Sequence, residues 1–522
     1  MSPSPSPPPL SEAEQIVLLT KQLAWAQFEV QALREQLRLQ LIRKYGPKSE
    51  KLNDQQLQLL DLEPGVSAEE VEAESRREPL PAPTPVNTST TQANRKSGKH
   101  PGRQYFPETL RRVEQIIACT PEQCVCNNCG KDKALIGYEQ SEQLDMEPAR
   151  FFVVVTRREK RACRACAEGV SAAPLPARII DKGLASDRVV IDTLVNKYSD
   201  HLPLYRQSAI LERETGVSIS RATMDGWIMR IGEMLIPVTG AMKKELVAGT
   251  YIQADETPVP VQMLERRGKN HQAYLWQYGK PGGNVVFDFR MGRGRDGPLK
   301  FLGQYEGILQ TDGYAAYGRV GGARIVHAAC WAHARRKMFD AVKLNPDDRM
   351  ARHLVARIDA LFAVDADARD AGMDQGARHA LRVQRSRPLL QTMKAEMEMA
   401  NAAVLPVSAL AKAANYTLAL WEKLTRFLEH PELELSTNWA ENSMRPVVLG
   451  RKNWIHVGSE QAGPKVAAVL SVMETCRRWK VPVREYLACV LPGLGNVPIG
   501  RIGQYTPAAW AGSRKLELKA AV

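Results

Sequence analysis

Apolar positions along this chain change period several times, and each change marks a different kind of element. Near the N-terminus, Ile16, Leu19, Leu23, Ala26, Val30, Leu33 and Leu37 fall at alternating steps of three and four, with polar residues between. That spacing is the seam of a coiled coil and predicts self-association through residues 1–62. Arg43-Lys-Tyr-Gly46-Pro47 stops the helix. From 63 to 104 large apolar residues are scarce and Pro, Glu, Ser and Thr abundant, the composition of a disordered linker. The linker ends in a basic tract, Arg95 to Arg103, which could lie along phosphates or simply be solvated. Helical spacing returns over 171–246. Leu204 to Thr215, a turn with Gly216, and Ser220 opening Arg221 to Arg230 predict a helix-turn-helix. Arg221, Thr223 and Arg230 are its candidates for contact with phosphates or bases.

Strand patterns begin at Tyr251. Two short apolar stretches, Thr250 to Asp255 and Gly307 to Asp312, each close on an aspartate. Each predicts a buried strand with a carboxylate at its end, where the chain turns outward. Further strands are expected at 271–278, 284–290 and 324–327, with a short helix over 297–305. Between about 341 and 435 the spacing is wholly helical, with Met350, Leu354, Ile358 and Leu361 in one stripe and Leu418, Trp421, Leu424 and Phe427 in another. Beyond it, Ser436-Thr-Asn-Trp-Ala-Glu441 puts a glutamate on a short helix opened by a Ser/Thr cap. The pattern predicts a mixed α/β sheet domain over 247–475 with an all-α insertion. Residues 476–522 are expected to be a helical segment, with Leu487, Val490 and Leu491, and a basic tail.

Composition narrows the partners. In 522 residues, 71 Lys and Arg face 58 Asp and Glu, a net charge of +13 that fits a phosphate-rich partner. No apolar run is long enough to span a membrane. Met-Ser-Pro-Ser-Pro-Ser-Pro-Pro-Pro does not begin a secretory signal, so a cytoplasmic protein is expected. Cys126-Asn-Asn-Cys129 and Cys163-Arg-Ala-Cys166 supply four thiolates at two knuckles, enough to close a structural Zn²⁺ site within 105–170. The long interval between them needs a hairpin, for which Phe151 to Val155 offers a strand. Cys119 and Cys124 could replace one of the four.

Asp255, Asp312 and Glu441 are hard oxygen ligands suited to Mg²⁺ or Mn²⁺. Two such ions about 4 Å apart could activate a water or a 3′-hydroxyl in phosphoryl transfer on a polyanion. A non-catalytic, zinc-containing DNA-binding regulator would explain the coiled coil, cysteines and helix-turn-helix but leave the acids idle. A nuclease that only hydrolyses DNA would use the acids without joining strands.

Several motifs follow one another in a specific order. They are Tyr45-Gly46-Pro47-Lys48-Ser49-Glu50, the CxxC pairs, Gln253-Ala-Asp255-Glu-Thr-Pro, Gln310-Thr-Asp312-Gly-Tyr, Cys330-Trp-Ala-His333-Ala-Arg-Arg, Asn438-Trp-Ala-Glu441-Asn-Ser-Met-Arg-Pro and Gly450-Arg451-Lys452-Asn453-Trp454. With them the chain resembles, over nearly its whole length, the insertion-sequence-66 family of bacterial transposases. The resemblance implies a ribonuclease-H-like catalytic fold and a DDE triad of Asp255, Asp312 and Glu441. It also implies cleavage at the ends of an element, transfer of the freed 3′-hydroxyls to target DNA, and small companion proteins from the same element. Glu441 follows Asp312 by 129 residues, a gap the insertion accounts for. Glu256 faces away from Asp255 if its strand continues, and is left out of the triad. Cys330 and His333 look like a motif beside the second aspartate in several DDE transposases and are expected to support the site. Arg445, Arg451 and Lys452 are candidates to hold DNA phosphates, with Trp454 stacking on a base or filling the core.

Overall fold

The computed structural model describes scattered positions of one helix between residues 16 and 37, then 151–157, 160–162, 170–172, 176–181, 183–263 and 270–520. Cys126, Cys129, Cys163 and Cys166, the linker and its basic tract lie outside the described residues. Among the described helical positions near the N-terminus, Ile16, Leu19, Leu23, Leu33 and Leu37 are each more than half exposed.

One compact unit spans Glu78–Ala172. In it β1 (Lys160–Ala162) and β2 (Val170–Ala172) pair antiparallel, with Lys160 opposite Ala172. The strand expected at Phe151 to Val155 is absent: these residues are irregular and exposed, Val153 to 88 %. A run of apolar side chains without alternation offers a sheet no single face to bury, and among the described residues nothing covers it.

The second unit, which includes Ala173–Val522, is built on a five-stranded sheet. Its strands are β3 (Tyr251–Gln262), β4 (Asn270–Gly279), β5 (Val285–Arg290), β6 (Ile308–Thr311) and β7 (Val326–Ala329), in the order β5-β4-β3-β6-β7. The first three pair antiparallel; β6 and β7 continue the sheet in parallel. Side chains alternate between two separate cores. Ile252, Ala254 and Leu309 enter one, and Tyr251 and Ile308 enter the other, as a period of two requires.

On the first face lie α1 (Asp187–Tyr198), α2 (Leu204–Thr215), α3 (Arg221–Val247), α4 (Asp296–Leu302), α12 (Gly463–Arg478) and α13 (Val483–Val490). Within 171–246, Ile228, Ile231, Leu235 and Met242 of α3 share one buried cluster with the sheet. From 476 onward, Tyr486, Leu487 and Ile502 join the same cluster. The edge strand β5 is sealed by α12, where Ser471 Oγ accepts from Phe287 N at 2.8 Å and Thr475 Oγ1 from Val285 N at 3.0 Å. Close approach of α3 and α12 depends on Gly232, where a Cβ would meet the Cβ and carbonyl of Lys465 at 2.8 Å. Gly232→Ala is therefore expected to cost about 1–3 kcal/mol in chemical denaturation, through overpacking.

The second face is covered by α5 (Trp331–Leu344) and the helical insertion: α6 (Arg349–Asp370), α7 (Gln375–Leu381), α8 (Arg387–Ala403), α9 (Ala409–Ala419) and α10 (Trp421–Thr425). The stripe Leu354, Ile358 and Leu361 of α6 packs with Met393 and Met397 of α8, Ala414 of α9, and Met338 of α5. The insertion therefore builds the core beneath one face of the sheet. The chain then returns through 426–437 into α11 (Asn438–Trp454), which carries Glu441.

Candidate active site

β3 extends seven residues past Asp255, so this aspartate sits inside the strand and not at its end. The difference has a local cause. β6 pairs with β3 only as far as Gln253↔Gln310, while β4 continues on the other side; past β6, Val457 bridges Val261, its N–H donating to the Pro260 carbonyl and its own carbonyl accepting from Gln262 N, each at 2.9 Å. Extended by two residues, the parallel register brings Asp255 opposite Asp312, on the face that buries Tyr251 and Ile308. Asp312 follows β6 directly and does stand at a strand end. Its Oδ1 accepts from Tyr314 N at 2.8 Å and its carbonyl from the Tyr416 hydroxyl at 2.5 Å. Gly313 makes the turn possible, with φ 93° and a Cβ position already taken by Leu420.

Glu441 comes to the same face on α11. Its Oε1 is 3.4 Å from His333 Nε2, and its Oε2 is 3.6 Å from Arg336 Nη2. Burial above all, then the negative charges of Glu441 and Glu256, push the Asp255 carboxyl up to about 7. His333 is pulled down by burial, but the Cys330 thiol and Glu441 outweigh that and hold it at about 9. Cys330 is fully buried ahead of α5. Burial raises its thiol, yet the charge and hydrogen bond of His333 and the Thr437 N–H, 3.2 Å away, bring it below its ordinary value. Cys330 and His333 thus flank the segment that delivers Glu441.

The remaining sequence candidates divide. Arg221 and Thr223 are exposed at the start of α3, where Ser220 Oγ caps Thr223 N at 3.1 Å; Arg230 is exposed and stands 3.6 Å from Glu233. Gly216, in the left-handed conformation at φ 69°, ends α2. Lys452 is exposed and Arg445 half-buried. Arg451 is tied to β3, donating to Thr257 Oγ1 at 2.9 Å and to the Pro258 carbonyl, so part of its guanidinium is held within the fold. Trp454 is half-buried and meets Tyr198 edge to face.

Glu256 lies on the opposite face of β3, where its carboxylate accepts from Tyr317 OH at 2.8 Å and from Arg293 at 2.6 Å. Arg293 in turn lies over the ring of Tyr314 at 4.1 Å. Sequence reasoning missed Arg293, and also Gln253, Gln310 and Gln277. The glutamine two residues before each aspartate was a legible signal, because that spacing puts both on the acids' face. Gln277, opposite Asp255 on β4, is fully buried with neither amide atom bonded.

A cation suits part of this arrangement. Asp255 and Glu441 repel each other, and Glu441 Oε1 is buried with no hydrogen-bond partner. Among the described residues, no three His, Cys, Asp or Glu side chains stand close enough to enclose an ion by themselves. Mg²⁺ tolerates this, since it commonly keeps several waters and uses one or two carboxylates together with substrate phosphates.

Comparison with known proteins decides the family. Residues 182–465 match the model described as Transposase IS66 family. The chain belongs to this transposase family. Residues 123–167 match the zinc-finger binding domain of transposase IS66, and 32–114 match a model described as Transposase C of IS166 homeodomain. The chain is 33 % identical over 488 residues to the uncharacterized protein y4qI of Sinorhizobium fredii, covering 89 % of this chain and 85 % of that protein. It is 32 % identical over 423 residues to y4jD of the same organism, covering 78 % and 81 %. As a member of the family the protein is a DNA-binding transposase with a zinc-binding module, and no described helix is long and apolar enough to cross a membrane.

Proposed function

We propose that this transposase is a DDE enzyme that cuts DNA at the ends of its insertion element and joins the freed 3′-hydroxyls to a target. Asp255, Asp312 and Glu441 are its acids, on a ribonuclease-H-like sheet. The observation that supports the reading is the parallel β3–β6 register, which ends at Gln253 against Gln310, two residues before Asp255 and Asp312, with Glu441 brought near Asp255 by α11. Mg²⁺ or Mn²⁺ held by these carboxylates would supply Lewis-acid stabilisation of charge on the reacting phosphate. The chain's own groups do the rest. His333 and Arg336 hold Glu441, and Cys330, hydrogen-bonded by Thr437 N, anchors the approach to α11.

Arg445, Lys452 and the free part of Arg451 follow Glu441 on α11 and hold DNA phosphates near the cut. Arg221, Thr223 and Arg230 meet DNA farther from the acids. Cys126, Cys129, Cys163 and Cys166 bind structural Zn²⁺, the exposed N-terminal seam pairs two protomers, and companion proteins of the element complete the assembly in the bacterial cytoplasm.

Mobilisation of the complete element in cells, companions included, tests the reading. The Asp312→Asn protein should bind element ends as the unaltered protein does and give no transposition. Movement of the element by that variant would remove Asp312 from the site. End binding with no strand cleavage by the unaltered protein, under either metal, would favour a non-catalytic regulator.

A further inference from the structure

Glu441 is separated from both aspartates by a long helical insertion, and something must fix it against them. Thr437, at the start of α11, makes no side-chain capping bond, and of the expected Ser/Thr cap only Ser436 Oγ contributes, accepting from Asn438 N at 3.4 Å. A shorter capping bond comes from another element: Gln253 Oε1 accepts from Ala440 N, in the first turn of α11, at 3.2 Å. The other end of the same amide, Gln253 Nε2, lies 2.9 Å from the Ser436 carbonyl, 3.0 Å from Gln310 Oε1 and 2.8 Å from the Tyr251 hydroxyl. Gln310 Nε2 donates to the Glu434 carbonyl at 2.7 Å. Tyr251 OH donates to Gln310 Oε1 at 2.5 Å and accepts from Glu434 N at 3.3 Å.

Both glutamines are fully buried. Burying two amides is favourable only when their donors and acceptors are met, and here both ends of each amide are bonded. Each glutamine stands two residues before an aspartate, on the same face of adjacent parallel strands. Gln253 and Gln310 are thus rigidly coupled to Asp255 and Asp312 and, through residues 434–440, to Glu441.

We infer that Gln253, Gln310 and Tyr251 form a buried bracket that caps α11 from β3 and sets the distance of Glu441 from the two aspartates. They are positioning residues: they touch neither the reacting atoms nor a metal. The inference rests on the metal-site reading for its consequence, though the docking it describes can be measured without it.

The test uses the full chain with Gln253→Met, which keeps volume and removes the bonds, and Tyr251→Phe, which removes one hydroxyl and keeps the packing. Asp255→Asn serves as the control. Hydrogen–deuterium exchange is followed over residues 434–444, and Mn²⁺ binding by the electron paramagnetic resonance of the free ion. Gln253→Met should speed exchange in 434–444 by about tenfold or more and raise half-saturating Mn²⁺ at least about fivefold, with the Tyr251→Phe effects smaller and in the same direction. A residue that merely stabilised the fold would lower the melting temperature and leave half-saturation of the folded protein unmoved. Exchange over 434–444 equal to the unaltered protein's in both variants overturns the bracket, as does unchanged Mn²⁺ binding with faster exchange. If the unaltered protein binds Mn²⁺ no better than Asp255→Asn does, the metal-site reading falls, and exchange alone decides the bracket.

Discussion

Asp255→Asn is expected to stabilise the metal-free protein at pH 8 while reducing strand cleavage by about 10²–10³-fold or more, the scale for losing one preorganised electrostatic group. The two effects have one cause. In the folded chain the Asp255 carboxyl is raised to about 7 by burial and by Glu441 and Glu256, against about 4 in an unfolded chain. Between those values the folded state binds more protons than the unfolded, so stability falls as pH rises from about 4 to 7 and then levels off. The asparagine carries no charge to repel Glu441, so this part of the pH dependence should vanish from thermal melts of the variant. Added Mn²⁺ should raise the melting temperature of the unaltered protein and leave that of Asp255→Asn unmoved. A lower melting temperature for the metal-free variant at pH 8 would show that the like-charge conflict is absent.

Arg382→Met is expected to destabilise the protein by about 3–5 kcal/mol, the cost of breaking a buried ion pair by removing one of its members. The Arg382 guanidinium is fully buried and donates to both oxygens of Asp365, at 2.8 and 2.7 Å, and to the carbonyls of Phe427, Pro431 and Leu433. Arg378 joins Asp365 to Glu434, at 2.9 Å from each. Burial pushes the Asp365 carboxyl up, but Arg382 and Arg378 outweigh it and hold it below its ordinary value. Its contribution is therefore complete above about pH 4 and lost as pH falls through the lower folded value. Arg382→Met should shift acid unfolding to higher pH. The double change Asp365→Leu with Arg382→Met should recover much of the stability in denaturant titrations, because it removes both charges. Cleavage should stay low in the double variant, since the carbonyls of the segment leading to Glu441 lose their donor either way. Full activity there would mean the return segment needs no such anchor.

The elements of the sheet were legible because strand and helix periods are local properties. The strands containing Gln272, Val286 and Gln310 lie where alternation and short apolar runs put them. Predictions that depended on distant partners fared differently. Phe151 to Val155 has strand-forming residues without a pairing partner among the described residues, whereas Asp255 lies inside a longer strand because β4 keeps pairing after β6 stops. Residues 171–246 spell a helix-turn-helix locally, yet the long α3 also presents Ile231, Leu235 and Met242 to the sheet. Nothing near these residues in the sequence announces the surface they cover.

By itself the sequence determined the family motifs, the strands and helices of the sheet domain, the cysteine spacing and the basic charge, all of which are carried by residues close together or by simple totals. Only the tertiary structure decided which buried groups satisfy one another across the chain. Gln253 caps a helix that begins 185 residues later, and Arg382 bonds carbonyls about fifty residues beyond it. Such pairings follow from the cost of burying a polar group unbonded. That cost acts on whichever groups the fold brings together, however far apart they stand in the sequence.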